Sequence, residues 1–206
     1  MSRASARMFS PPPVGPLPPP LLPMFDAPQP TLRTERLVLR PFAEGDAPSV
    51  HAIVSDREIA ATTLTIPHPY PEGMAAEWIS WHPERWEKGA GVVFAATLGE
   101  GGELVAAVGL DLDEPHRRGE LGYWVARPHW GRGYATEAAR AVVGFGFRAL
   151  GLHRVQAQHF TRNPQSGAVM RKLGMRHEGC LRHHLQKWGE FVDVEVYGIL
   201  ADEFTG

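Results

Sequence analysis

The sequence holds little of what marks a secreted, membrane-bound or nucleic-acid-binding protein. Its 206 residues include one cysteine, Cys180, which excludes an internal disulfide framework and fits a reducing cytoplasm. No apolar run approaches the roughly 20 residues that a membrane helix requires. The net charge of −2 gives no reason to expect a nucleic acid partner, and no zinc-ligand spacing surrounds His183 and His184. We therefore expect a cytoplasmic globular protein without membrane, nucleic acid or metal.

The start of the chain, in contrast, is rich in proline. Residues 11–13 and 18–20 are runs of proline among few side chains that could pack. We therefore expect residues 1–30 to be a disordered or polyproline-like extension and residues 31–206 to form one domain. Because the ordered pattern begins just after Met24, we expect Met24 rather than Met1 to be the natural start. The intact mass of the native protein would decide this.

Hydrophobic periodicity divides the rest of the chain into strands and helices. Helices are expected over residues 43–56, 72–88, 134–150 and 164–173. Strands are expected over residues 34–41, 92–98, 104–112, 118–125, 154–161, 175–182 and 191–200. Antiparallel strands come first, and a strand–helix–strand crossover follows. We predict an α/β (α+β) domain with a mixed, mostly antiparallel sheet of seven strands flanked by helices.

A glycine turn separates the predicted strand 118–125 from the predicted helix 134–150. It contains Gly131 and Gly133. Glycines at this place let the backbone approach a ligand, and the N-terminus of a helix attracts an anion such as phosphate. Ordinary turn glycines are the alternative. No Gly-Lys-Ser/Thr follows, and the spacing is too tight for the dinucleotide fingerprint, so a diphosphate here points to coenzyme A.

A second helix start carries a strong capping signature. Asn163 fits the N-cap, Pro164 the first helical position and Gly174 the residue that ends the same helix. Plain capping explains these residues completely. It does not explain why this helix follows the strand beside the glycine turn.

Together these motifs resemble the Gcn5-related N-acetyltransferase superfamily, and within it the branch of ribosomal-protein N-terminal acetyltransferases. The resemblance runs from about residue 31 to residue 204. Its landmarks, in the order of the family, are residues 32–40 (LRTERLVLR), 119–125 (GELGYWV), 130–138 (WGRGYATEA), 163–166 (NPQS), and 178–182 (EGCLR) with 189–193 (GEFVD). Five landmarks in the order of the family make the resemblance specific.

The resemblance implies an acetyl-CoA-dependent N-acetyltransferase, a single domain whose central strands splay apart. The pyrophosphate of acetyl-CoA would lie on the glycine turn, whose residues are Trp130, Gly131, Arg132, Gly133, Tyr134 and Ala135. The pantetheine arm would lie between the strand that ends at Val125 and the strand 154–161, bonded by backbone groups near Val125. Asn163 would hold the arm or the thiol besides capping its helix.

The implied reaction is the direct attack of a primary amine on the thioester carbonyl, for which a modest base suffices. Glu120 is the candidate base, because similar enzymes often place a glutamate on this strand. The alternative is a strand carboxylate paired with Arg117 or Arg118, and His116 and Asp111 are weaker candidates.

The candidate acid departs from the superfamily pattern. Many relatives have a tyrosine three or four residues before the glycine that closes the last helix, where this sequence has Met170. Ser166 then becomes the candidate acid, as in the ribosomal branch, and an ordinary first-turn serine is the alternative. Cys180 is expected to be a small buried residue rather than a nucleophile, because direct transfer to an amine needs no covalent enzyme intermediate.

The acceptor is the part that the sequence defines least. The branch favours a protein N-terminal α-amine and a homodimer; a small amine, or a non-catalytic acyl-CoA-binding module, are the alternatives. We expect the acceptor groove to be built from residues 60–72, 72–88 and 183–190. Three tryptophans are expected to serve as core and groove-wall residues: Trp78, Trp81 and Trp86.

Overall fold

The structure, a computed structural model, describes residues 25–206. Its helices are α1 (Ala47–Val54), α2 (Arg57–Thr62), α3 (Met74–Ser80), α4 (His82–Glu87), α5 (Tyr134–Arg148) and α6 (Pro164–Lys172). Its strands are β1 (Leu32–Arg33), β2 (Leu37–Arg40), β3 (Gly91–Leu98), β4 (Leu104–Asp113), β5 (Arg118–Val125), β6 (Arg154–Phe160), β7 (Arg176–Lys187) and β8 (Glu190–Leu200). No helix in this part of the chain is long and apolar enough to cross a membrane.

The beginning of the described chain packs against the domain. Phe25 is buried, and its ring meets that of Trp86 edge-on with 4.9 Å between the centroids. The Trp86 indole N–H donates to the Ala27 carbonyl at 2.7 Å. Residues 25–30, predicted to belong to the disordered extension, are thus part of the fold. The predicted disorder of the preceding residues and the choice between Met1 and Met24 lie outside the described residues.

The strands form one sheet in the order β1-β2-β3-β4-β5-β6-β8-β7. All neighbouring strands are antiparallel except β5 and β6, which are parallel and joined by the crossover helix α5. This confirms the predicted fold class. The sheet has eight strands rather than seven, because the two-residue β1 pairs with β2 through Leu32 and Leu39. So short a strand is missed because it shows no alternation.

Alternation along β5 divides the sheet into two faces. Leu121, Tyr123 and Val125 pack into the larger core together with α5 and α6. Trp124 belongs to a smaller cluster with residues of α1 and α3 on the opposite face. Because successive side chains of a strand point to opposite faces, Glu120 lies on the same face as Trp124. The sheet thus has an α5/α6 face and an α1/α3 face, and β5 supplies polar side chains to both.

The segment predicted as one helix over residues 72–88 is two short helices, α3 and α4, that meet at Trp81. Pro83 stands in the first turn of α4. A proline has no N–H for the carbonyl four residues earlier and clashes with it, so the longer helix breaks there. In the first predicted helix, 43–56, a 3-10 turn at Glu44–Asp46 leads directly into α1, which ends at Val54. The structure adds α2, capped by the Asp56 carboxylate, which accepts from the Glu58 N–H at 2.9 Å.

Candidate active site

The two central strands separate as the family resemblance predicts. Parallel pairing of β5 with β6 is confined to residues 118–120 of β5 and ends where Glu120 meets Gln156. Beyond this point β6 continues along β8 as far as Phe160, while β5 continues along β4 to Val125. The result is a wedge-shaped gap that opens toward the end of β5, from which the chain passes to the glycine turn.

The glycine turn has the geometry of an anion site. Gly131 and Gly133 adopt positive φ angles of 75° and 85°, which a β-carbon disfavours. A β-carbon on Gly131 would meet nothing within 4 Å, and one on Gly133 would meet only the Arg36 guanidinium at 3.4 Å, so Gly131 faces open space and Gly133 faces Arg36. The first helical bond of α5 runs from the Glu137 N–H to the Gly133 carbonyl. The N–H groups of Tyr134, Ala135 and Thr136 therefore have no partner within the helix. The turn fits the diphosphate of coenzyme A.

The end of β5 has an edge without a partner strand. The Ala126 N–H donates to the Val105 carbonyl on the β4 side at 2.8 Å. Consecutive residues direct their N–H and C=O groups to opposite edges, so Tyr123 and Val125 direct theirs into the gap. The Val125 carbonyl accepts the Trp130 indole N–H at 2.7 Å, which occupies one of the backbone groups predicted to bond a pantetheine arm. At Val125 this leaves the N–H.

Glu120 lies where the gap begins. Its carboxylate accepts hydrogen bonds from the side chains of Gln156, at 3.1 Å, and Gln158, at 2.8 Å. The alternative partners are engaged elsewhere, since Arg117 donates to the Gly151 carbonyl and Arg118 pairs with Asp113. Glu120 is therefore a carboxylate held by two neutral amides at the edge of the gap. A carboxylate held by neutral groups can still accept a proton.

The two weaker base candidates have less suitable surroundings. Asp111 lies beside Glu120 on β4, but its carboxylate is 76% exposed and pairs with Arg85 at 2.5 Å. His116 is exposed in the turn between β4 and β5. An exposed, ion-paired carboxylate and a solvent-facing turn histidine are poor bases for a sheltered reaction, so Glu120 remains the stronger candidate.

Ser166 lies across the gap from β5, in the first turn of α6. Its hydroxyl is 2.7 Å from the Tyr123 hydroxyl, which also lies 3.2 Å from the Ser166 carbonyl. Burial raises the pKa of Tyr123 to about 12, although its hydrogen bond with Ser166 works in the opposite direction. Tyr123 is thus a neutral hydroxyl at physiological pH. This contact could not be predicted from the sequence, because the two residues lie far apart in the chain and meet only through the face that Tyr123 takes on β5.

The remaining residues of α6 follow the prediction. Asn163 is the N-cap, and its side-chain oxygen accepts the Ser166 N–H at 3.3 Å. This contact leaves its amide nitrogen as the group that could reach a ligand. Met170, at the position of the tyrosine in many relatives, is 1% exposed and belongs to the main core. It holds α6 on the sheet and has no proton to give.

Two of the three segments predicted to form the acceptor groove, residues 60–72 and 183–190, meet at the tip of the β7–β8 hairpin. Lys187 is 4% exposed, and its ammonium donates to the carbonyls of Leu64, at 3.1 Å, and Ile66, at 2.7 Å. Burial and the nearby Arg162 lower the pKa of Lys187. The neighbouring Trp188 ring lies under the Arg57 guanidinium, 5.2 Å from its centroid. These contacts tie the loop after α2 to the hairpin.

The tryptophans and the cysteine differ in how well they were predicted. Trp86 is buried, Trp78 packs against the second cluster, and Trp81 is 50% exposed. The predicted burial of Cys180 is wrong: the residue is exposed. It lies on β7, an edge strand that pairs only with β8, so most of its side chains face solvent.

The sequence of this chain is similar to those of several known proteins. Residues 36–176 match the family described as acetyltransferase (GNAT) domain. The uncharacterized N-acetyltransferase YoaA of Bacillus subtilis (strain 168) is 32% identical over 172 residues, which are 83% of this chain and 97% of that protein. The ribosomal-protein-serine acetyltransferase of Escherichia coli (strain K12) is 29% identical over 101 residues, 48% of this chain and 56% of that protein.

A solved structure shows the shared fold. Spermidine N-acetyltransferase from Vibrio cholerae, in complex with CoA and spermine, is similar to this chain with a TM-score of 0.71 at 23% identity. The similarity covers 82% of this chain and 98% of that chain.

Proposed function

We propose that this chain, which belongs to the GNAT acetyltransferase family, moves an acetyl group from acetyl-CoA to the α-amine of a protein N-terminus. The family gives the enzyme class, an acetyl-CoA-dependent N-acetyltransferase. The choice of acceptor is ours. It is supported by the relative that acts on a ribosomal protein. One observation carries the proposal: β5 and β6 cease to pair at Glu120, and the chain that leaves the end of β5 forms the glycine turn.

Acetyl-CoA, the acetyl donor, would be held mainly by backbone groups. The N–H groups of Gly131 to Ala135, beside the side chains of Trp130 and Arg132, would hold the diphosphate. The Val125 N–H and the Asn163 side chain would hold the pantetheine arm. When bound, acetyl-CoA supplies a thioester carbonyl that a neutral amine can attack.

Glu120 would accept the proton that the attacking amine loses, directly or through water. The amine nitrogen bonds to the carbonyl carbon, the carbon–sulfur bond breaks, and the sulfur leaves with its electron pair as a thiolate. At pH 7 about a tenth of α-amines are already neutral, against fewer than about one in two thousand lysine side chains. A single carboxylate held by Gln156 and Gln158 suits the first kind of amine better than the second.

Ser166 would stabilise the departing thiolate, and Tyr123 would hold Ser166 in place. A thiol has a pKa of about 8.5, so a thiolate cannot take a proton from a tyrosine whose pKa is about 12. Tyr123 would therefore keep its proton and act through its hydrogen bond with the Ser166 hydroxyl. The Ser166 hydroxyl would donate to the sulfur, and the thiolate would take its proton from solvent.

A small polycationic amine is the second candidate acceptor. One cavity beside β5 is lined by three carboxylates, those of Asp111, Asp113 and Glu120, with Arg118 and Gln156. Carboxylates attract a polyamine, and spermidine is the acceptor named for one structural neighbour. Against this, Asp111 and Asp113 already pair with Arg85 and Arg118, which leaves less negative charge for such a ligand.

An acceptor screen separates these possibilities. Thiol release from acetyl-CoA is measured with peptides that begin with serine or alanine, with the same peptides carrying a blocked α-amine and a free lysine, and with spermidine. The proposal expects turnover of the free α-amine alone. Turnover of spermidine alone would contradict the proposed acceptor and indicate a small polyamine instead. CoA binding without turnover of any acceptor would favour a non-catalytic acyl-CoA-binding module.

We also propose that the protein acts in the cytoplasm as a homodimer, as the ribosomal branch of the family implies. Sedimentation equilibrium at micromolar concentration tests the dimer. A monomer at all concentrations would contradict it.

A further inference from the structure

The loop between β1 and β2 forms hydrogen bonds with the glycine turn and with the first turn of α5. The Glu137 carboxylate, in the first turn of α5, accepts from the Thr34 hydroxyl at 2.6 Å and from the Arg36 backbone N–H at 2.9 Å. It also accepts from Nε of the Arg36 guanidinium at 2.6 Å. These contacts join residues about a hundred positions apart in the chain. They give a structural role to the motif at residues 32–40.

A further contact of Arg36 fixes the turn itself. Its guanidinium donates to the carbonyl of Arg132 at 3.0 Å and lies over the ring of Tyr134, 4.6 Å from the centroid. In a trans peptide the carbonyl of one residue and the N–H of the next point in opposite directions. When Arg36 holds the Arg132 carbonyl, it therefore directs the Gly133 N–H to the opposite side, where a ligand of the turn can bind.

The charge of Glu137 gives Arg36 a second, electrostatic role at the diphosphate site. Burial alone would raise the pKa of Glu137, but the hydrogen bonds from Thr34 and Arg36 outweigh it and lower the pKa. Glu137 is therefore ionised, close to a helix N-terminus that is to receive a diphosphate. An uncompensated carboxylate at this place would repel the ligand. Arg36 neutralises it through a second ion-pair contact of 2.5 Å.

We propose that Arg36 is the positioning residue of the diphosphate site: it orients the Gly133 N–H through the Arg132 carbonyl and cancels the charge of Glu137. This rests on the proposed binding of acetyl-CoA at the glycine turn. The role is specific to the diphosphate, because none of these contacts reaches the gap where the pantetheine arm would lie. A donor that lacks the diphosphate should not depend on Arg36.

The test compares two donors in three variants. The Kd for CoA is measured by calorimetry, and kcat/KM is measured with acetyl-CoA and with acetyl-pantetheine, which shares the thioester but has no diphosphate. Arg36→Met should weaken CoA binding about tenfold or more and lower kcat/KM for acetyl-CoA alone. Arg36→Lys keeps the charge but cannot reach both Glu137 and the Arg132 carbonyl, so it should lose at least threefold. Arg33→Met, which removes a solvent-exposed ion pair with Glu100 on the same segment, is the control and should change nothing.

Each outcome has a defined meaning. An equal loss with both donors would overturn the proposal, because Arg36 would then only stabilise the fold. Unchanged CoA affinity in Arg36→Met would overturn it as well. If Arg36→Lys behaves like the wild type, the charge alone matters and the orienting role is wrong. A wild-type protein that binds no CoA would instead refute the proposed function, and this inference with it.

Discussion

The side of the protein that would bind acetyl-CoA, the donor side, and the side that would bind the amine, the acceptor side, are held together in different ways. The donor side, which comprises β5, the glycine turn, α5 and α6, presents mostly backbone N–H groups from short continuous segments. The expected acceptor side, which comprises residues 60–72, 72–88 and 183–190, is held by side chains from distant segments. Lys187, for example, binds carbonyls more than a hundred residues away. The donor groups depend on the local geometry of the turn and on the distant Thr34 and Arg36, which hold the turn through Glu137, whereas the acceptor side depends on each partner of its side-chain contacts.

The largest effect is expected from a change of backbone geometry on the donor side. Gly133→Val places a β-branched residue at a φ of 85°, at a cost of about 1–2 kcal/mol, and presses its side chain against the Arg36 guanidinium, so that the turn would change its shape. CoA affinity should fall by at least about 100-fold, as measured by calorimetry, since the backbone could no longer approach the diphosphate. Gly45→Val is the control, because its side chain would meet nothing within 4 Å and its φ is not positive. Undiminished affinity in Gly133→Val would refute the site.

A smaller effect is expected where the two sides meet. Glu120→Gln should lower kcat roughly 100-fold, because it removes the group that accepts the proton. The KM for acetyl-CoA should change little, because Glu120 is not among the residues that would hold acetyl-CoA. The deficit should shrink above about pH 8, where the α-amine loses its proton unaided. Asp113→Asn, on the same face, serves as the control. Equal activity of Glu120→Gln and wild type at pH 7 would exclude Glu120 as the base.

The stability of the acceptor side should depend on pH through one histidine. His82 is buried among Phe42 and Trp78, and neither ring nitrogen has a hydrogen-bond partner in the described part of the chain. Burial, together with Arg85, lowers its pKa to about 4. Between about pH 6.5 and pH 4 the unfolded chain binds a proton that the folded chain does not, so stability falls as the pH falls.

Chemical denaturation measures this loss directly. From pH 7 to pH 5 the wild type should lose about 2 kcal/mol that His82→Leu does not lose. His116→Leu, at an exposed turn position, is the control and should keep the wild-type dependence. The same pH dependence in wild type and His82→Leu would show that other groups cause the loss.

An effect of about tenfold is expected at the contact that bridges the gap. Tyr123→Phe removes only the hydroxyl that holds Ser166 and should lower kcat about tenfold, as should Ser166→Ala. Because Tyr123 acts through Ser166, the double variant should be no slower than Ser166→Ala. Additive losses would mean that Tyr123 has a role of its own, in packing or with the substrate, and a matching fall in melting temperature would identify packing.

The different construction of the two sides explains what the sequence could predict. The turn at Gly131 and Gly133 and the cap at Asn163 are local, so spacing alone locates them. The partners of Glu120, which are Gln156 and Gln158, depend on the register between β5 and β6, and the Tyr123–Ser166 contact depends on which face of β5 a side chain takes. The burial of Lys187 depends on a loop that no periodicity describes. The sequence therefore predicts the local motifs of the donor side, without the contacts between its distant side chains, and only the segments of the acceptor side.

The smallest effect is expected when the side-chain clamp of the acceptor side is removed. Lys187→Met keeps an apolar stem but removes the ammonium that binds the Leu64 and Ile66 carbonyls, so the loop should move more freely. We expect the KM for the peptide acceptor to rise about threefold to fivefold, with the KM for acetyl-CoA unchanged, since the clamp shares no residue with the glycine turn. Lys88→Met, at an exposed lysine paired with Glu84, is the control. A rise in the KM for acetyl-CoA instead would mean that the two sides are coupled and that the comparison between them fails.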